Sequence, residues 1–189
     1  MPLSKPAHRR HMHTREIVCR GYKRDDGLWD IEGRITDTKS YSFPNRDRGG
    51  IAAGEPLHDM LIRLTMDGDR TIHKAEAATE HSPYNICPHV TESFSKLEGL
   101  KIEAGWRKAV MRVFGGVHGC THLTDLLLGP LATTAVQTII PDGSEEVPVK
   151  ERRDASWLID KCHAFASDGP VVQREFPEHY TGDDGSQGS

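Results

Sequence analysis

The chain has 189 residues, 36 % of them hydrophobic, so its length suits one domain better than two. A formal net charge of −4, with Lys and Arg spread along the chain, argues against a nucleic-acid-binding protein, which would carry a basic stripe. No apolar run approaches the ~20 residues that a membrane-spanning helix needs.

The first elements along the chain are an arm and two hairpins. Residues 1–13 are polar, without periodicity or a signal-peptide pattern, and we predict a flexible arm. Asp-Gly turns at 25–27 and 67–69 each separate two alternating segments, which predicts two β-hairpins. On the second segment, Trp29 and Ile31 share one face while Asp30 and Glu32 share the other. This alternation predicts a sheet with one buried and one solvated face.

Helical periodicity follows the second hairpin. It predicts helices in residues 90–97, in 106–114, from Thr121 towards a kink or end at Pro130, and in 156–166. Strands first and helices after are typical of an α+β domain. We therefore expect an antiparallel β-sheet or partial barrel built from the N-terminal hairpins and packed by C-terminal helices. The predicted domain spans 14–175, and residues 176–189 should form a disordered tail, since the chain has no apolar residue from Thr181 onward.

The segment HGCTHL places His118, Cys120 and His122 two residues apart after a glycine pair. Thiolate and imidazole are natural zinc ligands, so the three side chains could bind a metal ion. A cysteine near a helix N-terminus could also be a nucleophile paired with a histidine. The third reading is structural: Gly119 makes the turn, Thr121 caps a helix and Cys120 packs as a small hydrophobe. We favour this third reading, with His122 facing a cleft.

A second candidate site is GEPLHDM, in which His58 and Asp59 begin a strand. An unperturbed histidine titrates near pH ~6.5 and suits proton transfer. Adjacent strand residues point to opposite faces, so His58 and Asp59 reach one substrate together only across a bulge. The alternative is a histidine that simply bonds a loop carbonyl.

A third candidate site is DTKSY, where Asp37, Lys39 and Tyr41 continue the apolar face of Trp29. Charged groups on a core face are costly unless they are paired or border a cleft. They form either a salt bridge at the rim of the sheet or the floor of a pocket, where a desolvated lysine could act as a base or bind a phenolate. On the other face, Glu32 and Arg63 line a cavity only if the sheet curls.

Familiar cofactor and hydrolase motifs do not occur in the sequence. There is no GxGxxG, P-loop, HExxH or GxSxG pattern. We therefore expect no cofactor. The four cysteines form no CxxC pair, which favours reduced thiols and a cytoplasmic location.

Four motifs together resemble a bacterial family catalogued as a domain of unknown function. They are CRGYKRDDGLWDIEGRITDTK, GEPLHDMLIRLTMD, SPYNICP and GCTHLTDLLLGPLATTAVQT, and the resemblance covers roughly residues 13–175. Members occur among genes for aromatic-compound breakdown, and one branch is linked to lignin-derived phenylcoumaran dimers. The resemblance implies a lyase that releases the γ-hydroxymethyl group as formaldehyde without a cofactor.

The candidate residues can be assigned to such a reaction. The base would be His58, or Asp59 if it faces inward, with His122 at the cleft. Lys39 or Arg63 would bind a phenolate or carboxylate, and the remaining substrate-binding candidates are Trp29, Asp37, Tyr41 and Tyr84. We therefore expect a cofactor-independent carbon–carbon lyase acting on small aromatic dimers. The alternative is a metal-binding or accessory protein that uses His118, Cys120 and His122. Because the predicted sheet leaves edges uncovered, we also expect a homodimer.

Overall fold

A computed structural model describes residues 3–139 and 158–182 of the chain. The chain divides into two compact units, Met1–Ile139 and Ile140–Ser189. Among the described residues, no helix is long and apolar enough to cross a membrane.

The first unit is built on a four-stranded antiparallel sheet. Its strands follow chain order: β1 (His13–Lys23), β2 (Trp29–Lys39), β3 (Pro56–Met66) and β4 (Ile72–His81). Both predicted hairpins are confirmed, and Gly27 in the first turn has a φ of 84°, which glycine adopts without strain. The sheet is open, so the antiparallel-sheet prediction is confirmed rather than its barrel alternative.

Helices follow the sheet, which confirms the α+β class. They comprise a 3₁₀ segment (Cys87–Leu97), α1 (Trp106–Phe114), α2 (Thr121–Leu126), a π-helical turn (Leu127–Leu131) and α3 (Ala132–Thr138). The prediction for residues 90–97 was right about helical character but the turn is the tighter 3₁₀ form. Pro130 lies inside the π turn, and the chain stays helical through it because a widened turn tolerates the missing N–H.

The start of α2 corrects a detail of the sequence prediction. Cys120 is the N-cap residue with an extended backbone, and Thr121 is the first helical residue and makes no capping hydrogen bond. The expected Thr121 cap is therefore wrong. The helix nevertheless begins directly after the glycine-rich turn, as predicted.

The core lies between the inner face of the sheet and these helices. Its sheet side consists of the alternating residues Trp29, Ile31, Ile35, Met60, Ile62, Leu64 and Met66, all buried. At Gly33 an added Cβ would lie 2.4 Å from Leu131 Cδ1 and 3.0 Å from Leu126 Cδ2. Glycine on β2 thus lets the α2–α3 region pack closely on the sheet and holds α2 over the inner face.

In the second unit, residues 158–182 form short elements. They are a 3₁₀ turn (His163–Phe165), α4 (Pro170–Glu175) and a 3₁₀ turn (Pro177–His179). The predicted helix is wrong over 158–166, where turns replace it. Residues 156 and 157, and 183–189 of the predicted tail, lie outside the described residues.

Candidate functional site

The candidate site lies on the inner face, where β1 begins, β2 ends and β3 begins. The antiparallel register places Arg15 directly opposite Asp37, and Asp37 directly opposite His58. The register between β2 and β3 shifts immediately after Asp37, so regular pairing ends there. Three polar side chains from three strands therefore meet where the apolar face stops.

Asp37 is the centre of this cluster and is 1 % exposed. The Arg15 guanidinium donates two hydrogen bonds of 2.8 Å, one to each carboxylate oxygen. His13 donates from Nε2 to Oδ1 at 3.0 Å, and His58 from Nδ1 to Oδ2 at 3.0 Å. Burial opposes ionisation, but the hydrogen bonds and charge of Arg15, aided by the two histidines, hold the pKa of Asp37 well below its usual range.

This arrangement fixes the tautomer of His58. An ionised carboxylate only accepts hydrogen bonds, so Nδ1 of His58 carries the proton and the Nε2 lone pair is available. Within the described residues, no hydrogen bond to that Nε2 occurs. Burial, and then the neighbouring His122, lower the pKa of His58 against the opposing pull of Asp37. His58 is therefore neutral at pH 7 and able to accept a proton.

His122 completes the cluster from the second position of α2. Its ring centroid lies 3.8 Å from that of His58, with 36° between the ring planes. Its Nε2 is 3.7 Å from Asp37 Oδ2, and its Nδ1 is 3.8 Å from Cys120 Sγ. Burial and the charge of Arg15 lower its pKa, so this imidazole is also neutral at pH 7.

These groups could also bind a metal ion. Ligand atoms of Asp37, His58 and His122 all lie within 4.8 Å of one another. Two imidazoles and a carboxylate are ligands that Zn²⁺ and Fe²⁺ accept. This set shares only His122 with the alternative metal site that the sequence offered in HGCTHL. His118 is exposed, and within residues 3–139 and 158–182 no hydrogen bond or ion pair joins it to Cys120 or His122.

A family comparison agrees with the resemblance seen in the motifs. The model of a family described as "Protein of unknown function (DUF2889)" matches residues 13–137. The chain belongs to this family. Comparison with curated proteins and with solved structures finds no match. The DUF2889 match covers the whole sheet, α1, α2 and nearly all of α3, and so every residue of the cluster.

Two predicted site residues of this DUF2889 chain lie on the opposite face of the sheet. The Asp59 carboxylate accepts two hydrogen bonds, of 2.7 and 2.5 Å, from the Arg34 guanidinium. Arg63 donates to Glu32 at 2.8 Å. Because strand residues alternate, Asp59 faces away from its neighbour His58, as the sequence analysis anticipated.

A groove of about 450 Å³ occupies this outer face. Glu32, Arg34 and Arg63 are among its lining residues, and they border an open groove on an open sheet rather than the interior of a curled one. Its charged groups are largely paired with one another, and the His58 side chain lies on the other side of the sheet. The groove and the histidine cluster are separate features.

Trp29, one of the predicted aromatic residues, lies far from His58. Trp29 and Asp37 stand at opposite ends of β2, which at ~3.3 Å per residue separates them by about 26 Å. Tyr41 and Tyr84 are 41 % and 59 % exposed. The Lys39 ammonium, two residues beyond Asp37 on the same face, has no hydrogen bond or ion pair among the described residues. Asp37 pairs with Arg15 and does not form the rim salt bridge with Lys39 that was one of the two expected arrangements.

Arg15 and His13 are the site residues that the sequence analysis missed. A signal was present, because counting outward from the Asp-Gly turn at 25–27 places Arg15 opposite Asp37. An arginine facing an inward aspartate across a hairpin is a specific prediction of ion pairing. His13 had been assigned to the flexible arm, and it is instead the first residue of β1.

Proposed function

We propose that this DUF2889 protein is a cofactor-independent carbon–carbon lyase that acts by acid–base chemistry, with His58 as the general base. The observation that carries the proposal is the 3.0 Å hydrogen bond from His58 Nδ1 to the buried Asp37. Aspartate–histidine pairs of this kind orient the imidazole and stabilise the imidazolium that forms on proton transfer. The substrate class, lignin-derived phenylcoumaran dimers, comes from the family resemblance.

The cluster meets the requirements of a general base. Catalytic efficiency is highest when the pKa of the base is near the operating pH and the base is unprotonated. Burial keeps His58 neutral, while Asp37, held ionised by Arg15, compensates the positive charge that His58 acquires. His122, stacked on His58, would be a second proton carrier at the same cleft.

The proposed reaction balances without an external oxidant or reductant. His58 Nε2 accepts the proton of the γ-hydroxyl, and the alkoxide collapses to formaldehyde as the bond to the β-carbon breaks. The bonding pair forms a double bond to the α-carbon, whose aryl ether bond breaks to release a phenolate. The proton held by the histidine pair then passes to that phenolate.

Lys39 is the best-placed cation for the phenolate. It lies on the same face as Asp37, is half-buried and is unpaired among the described residues. Arg63 is unsuited, since it is committed to Glu32 on the outer face. We therefore assign phenolate binding to Lys39, and retain Tyr41, two residues further along, as a contact for an aromatic ring.

The test is formaldehyde release from a panel of hydroxymethyl-bearing phenylcoumaran dimers. General-base removal typically costs about 10²–10⁴-fold in rate, so His58→Gln should lower kcat by that amount. His73→Gln is the matched control, because His73 also bonds a carboxylate, Asp67, at 2.8 Å on the same sheet. Lys39→Met should lower the rate by a smaller factor than His58→Gln does.

Three outcomes would count against the proposal. If the wild-type protein releases no formaldehyde from any dimer in the panel, phenylcoumaran dimers are ruled out as its substrates. Equal activity of the His58→Gln and His73→Gln variants would remove His58 as the base. Unchanged activity in Lys39→Met would rule out Lys39 as the phenolate-binding residue but would leave His58 as the proposed base.

A second candidate function is metal binding at Asp37, His58 and His122, favoured by the convergence of their ligand atoms. The arginine argues against it, since Arg15 and His13 already occupy the carboxylate oxygens and supply positive charge. Elemental analysis decides between the two. Stoichiometric zinc or iron that is lost in His122→Ala would favour the metal site, whereas full activity in a chelator would favour the lyase.

Two expectations about the whole molecule remain proposals. We propose that the protein acts in the cytoplasm, where its four cysteines would stay reduced, in line with their free state among the described residues. We also propose that it is a homodimer, because the sheet is open.

A further inference from the structure

Strand β1 forms an edge of the sheet, and among the described residues no strand pairs with its outer side. It is eleven residues long, contains no proline and pairs with β2 without a bulge. Ile17, Val18 and Tyr22 on this strand are each more than 40 % exposed. Long, regular, apolar edges readily pair with another strand.

Strand β4 forms the other edge of the sheet, and this edge is protected against pairing with another strand. The 3₁₀ segment Cys87–Leu97 packs against β4, and the pairing of β4 with β3 shifts register twice. Bulges and covering elements are devices that prevent edge pairing. Strand β1 has no bulge, although α3 and the π-helical turn contact it, and its charged side chains oppose pairing unless a partner strand matches them.

Two charges on β1 have no partner. Within the part of the chain that the structure describes, Glu16 and Arg20 form no ion pair, although other charged residues on the same outer face do so: Glu32 with Arg63, Arg34 with Asp59, and Lys74 with Glu76. Four residues along a strand span about 13 Å, so Glu16 and Arg20 are too far apart to pair with each other. Across the β1–β2 pair, Arg20 lies opposite Glu32, whose carboxylate already accepts a hydrogen bond from Arg63, and Glu16 lies opposite Thr36, which carries no charge.

We propose that two copies of the chain pair through antiparallel β1 strands about a twofold axis at Val18. In this register Glu16 of each copy faces Arg20 of the other, which supplies both missing ion pairs. Val18 faces its own equivalent, and Ile17 faces Cys19. Opposite charges and apolar pairs at directly facing positions stabilise antiparallel strands.

In the neighbouring registers, Glu16 no longer faces Arg20 of the other copy. A twofold axis at Ile17 places Glu16 opposite Val18. An axis at Cys19 places Arg15 opposite Lys23, which brings like charges together. The charge pattern of β1 therefore selects the register centred on Val18.

The proposed assembly also borders the histidine cluster. In the same register, His13 faces Lys23 of the second copy, and both positions lie on the inner face with Arg15. His13 contributes a hydrogen bond to Asp37. The second copy would thus add an ammonium group at the margin of the site. This interface does not depend on the lyase proposal.

Light scattering coupled to size-exclusion chromatography tests the interface. At micromolar concentration the wild-type mass should be twice the 21.1 kDa of one chain. Glu16→Arg and Arg20→Glu should each weaken dimerisation about tenfold, because each replaces two attractive pairs with two facing pairs of like charges. The double variant should recover the dimer, since it exchanges the two charges and restores both pairs.

Glu103→Arg is the control, because it makes the same charge change at an exposed position in the loop before α1. It should leave the dimer intact. A monomeric wild type would overturn the proposal. A dimer that tolerates both single changes, or a double variant that stays monomeric while folded by circular dichroism, would overturn the register.

Discussion

Replacing Arg15 with methionine should destabilise the protein and alter the titration of the site. The substitution keeps an unbranched side chain of similar length but removes the guanidinium. The Asp37 carboxylate would then stay buried with only His13 and His58 as donors. We expect lower stability and a higher pKa for Asp37, because its main stabilising charge is lost.

The structure bounds the size of the effect. Removing one partner of a buried ion pair costs about 3–5 kcal/mol. The Asp37 side chain is 2 % exposed but that of Arg15 is 37 % exposed, so water partly screens the pair. With two donors remaining on the carboxylate, the expected loss falls to about 2–3 kcal/mol.

Urea unfolding monitored by tryptophan fluorescence measures this loss. A double-mutant cycle with Asp37→Asn isolates the pair, and the coupling energy should be about 2 kcal/mol. Arg34→Met is the matched control, since Arg34 binds Asp59 with the same two-bond geometry but is 53 % exposed. Arg34→Met should lower the free energy of unfolding by a smaller amount, about 1 kcal/mol.

Arg15→Met should also change the pKa of His122. The Arg15 charge contributes to the lowered pKa of this imidazole, so Arg15→Met should raise that pKa in an NMR titration. A coupling energy below about 0.5 kcal/mol, or an unchanged His122 titration, would refute the central role assigned to Arg15.

The remaining predictions concern pH and packing. The pKa values of His58 and His122 lie below their unfolded-state value near ~6.5, so their contribution to stability is present above that pH and lost as the pH falls through the lowered values. The free energy of unfolding should therefore decrease from pH 7 to pH 5, with a shallower slope in His58→Gln; an increase over this range would contradict the reasoning. Gly33→Ala should cost about 1–3 kcal/mol in urea unfolding, because its Cβ would lie 2.4 Å from Leu131 Cδ1. Gly68→Ala, with nothing within 4 Å, should change stability by less than about 0.5 kcal/mol, and equal effects of the two changes would contradict the packing argument.

The sequence was sufficient to predict the sheet because strand patterning and turn chemistry are local. Alternation along Trp29, Ile31 and Ile35 identified the buried face, and the two Asp-Gly turns located the hairpins. Such signals depend on neighbours a few residues away, and the side-chain period of two fixes which residues share a face. The same local rule predicted that His58 and Asp59 point to opposite sides.

Helix details were harder to predict from the same kind of signal. Periodicity indicated helical segments near 90–97 and after Thr121, but it does not distinguish a 3₁₀ from an α-helical turn. Nor does it reveal whether Pro130 ends a helix or is accommodated in a π turn. Those outcomes depend on how the segment packs on the sheet, where Gly33 makes room for Leu126 and Leu131.

The composition of the site depended on tertiary structure. Arg15, Asp37, His58 and His122 are separated by more than twenty residues at each step, and only strand pairing and the packing of α2 bring them together. His118 and Cys120, adjacent to His122 in sequence, were the more visible candidates, yet the partners of His122 come from β2 and β3. Sequence proximity could identify the residue types available for chemistry. Which of them share a desolvated cleft, and therefore which pKa values shift together, is decided by long-range contacts that local patterns do not encode.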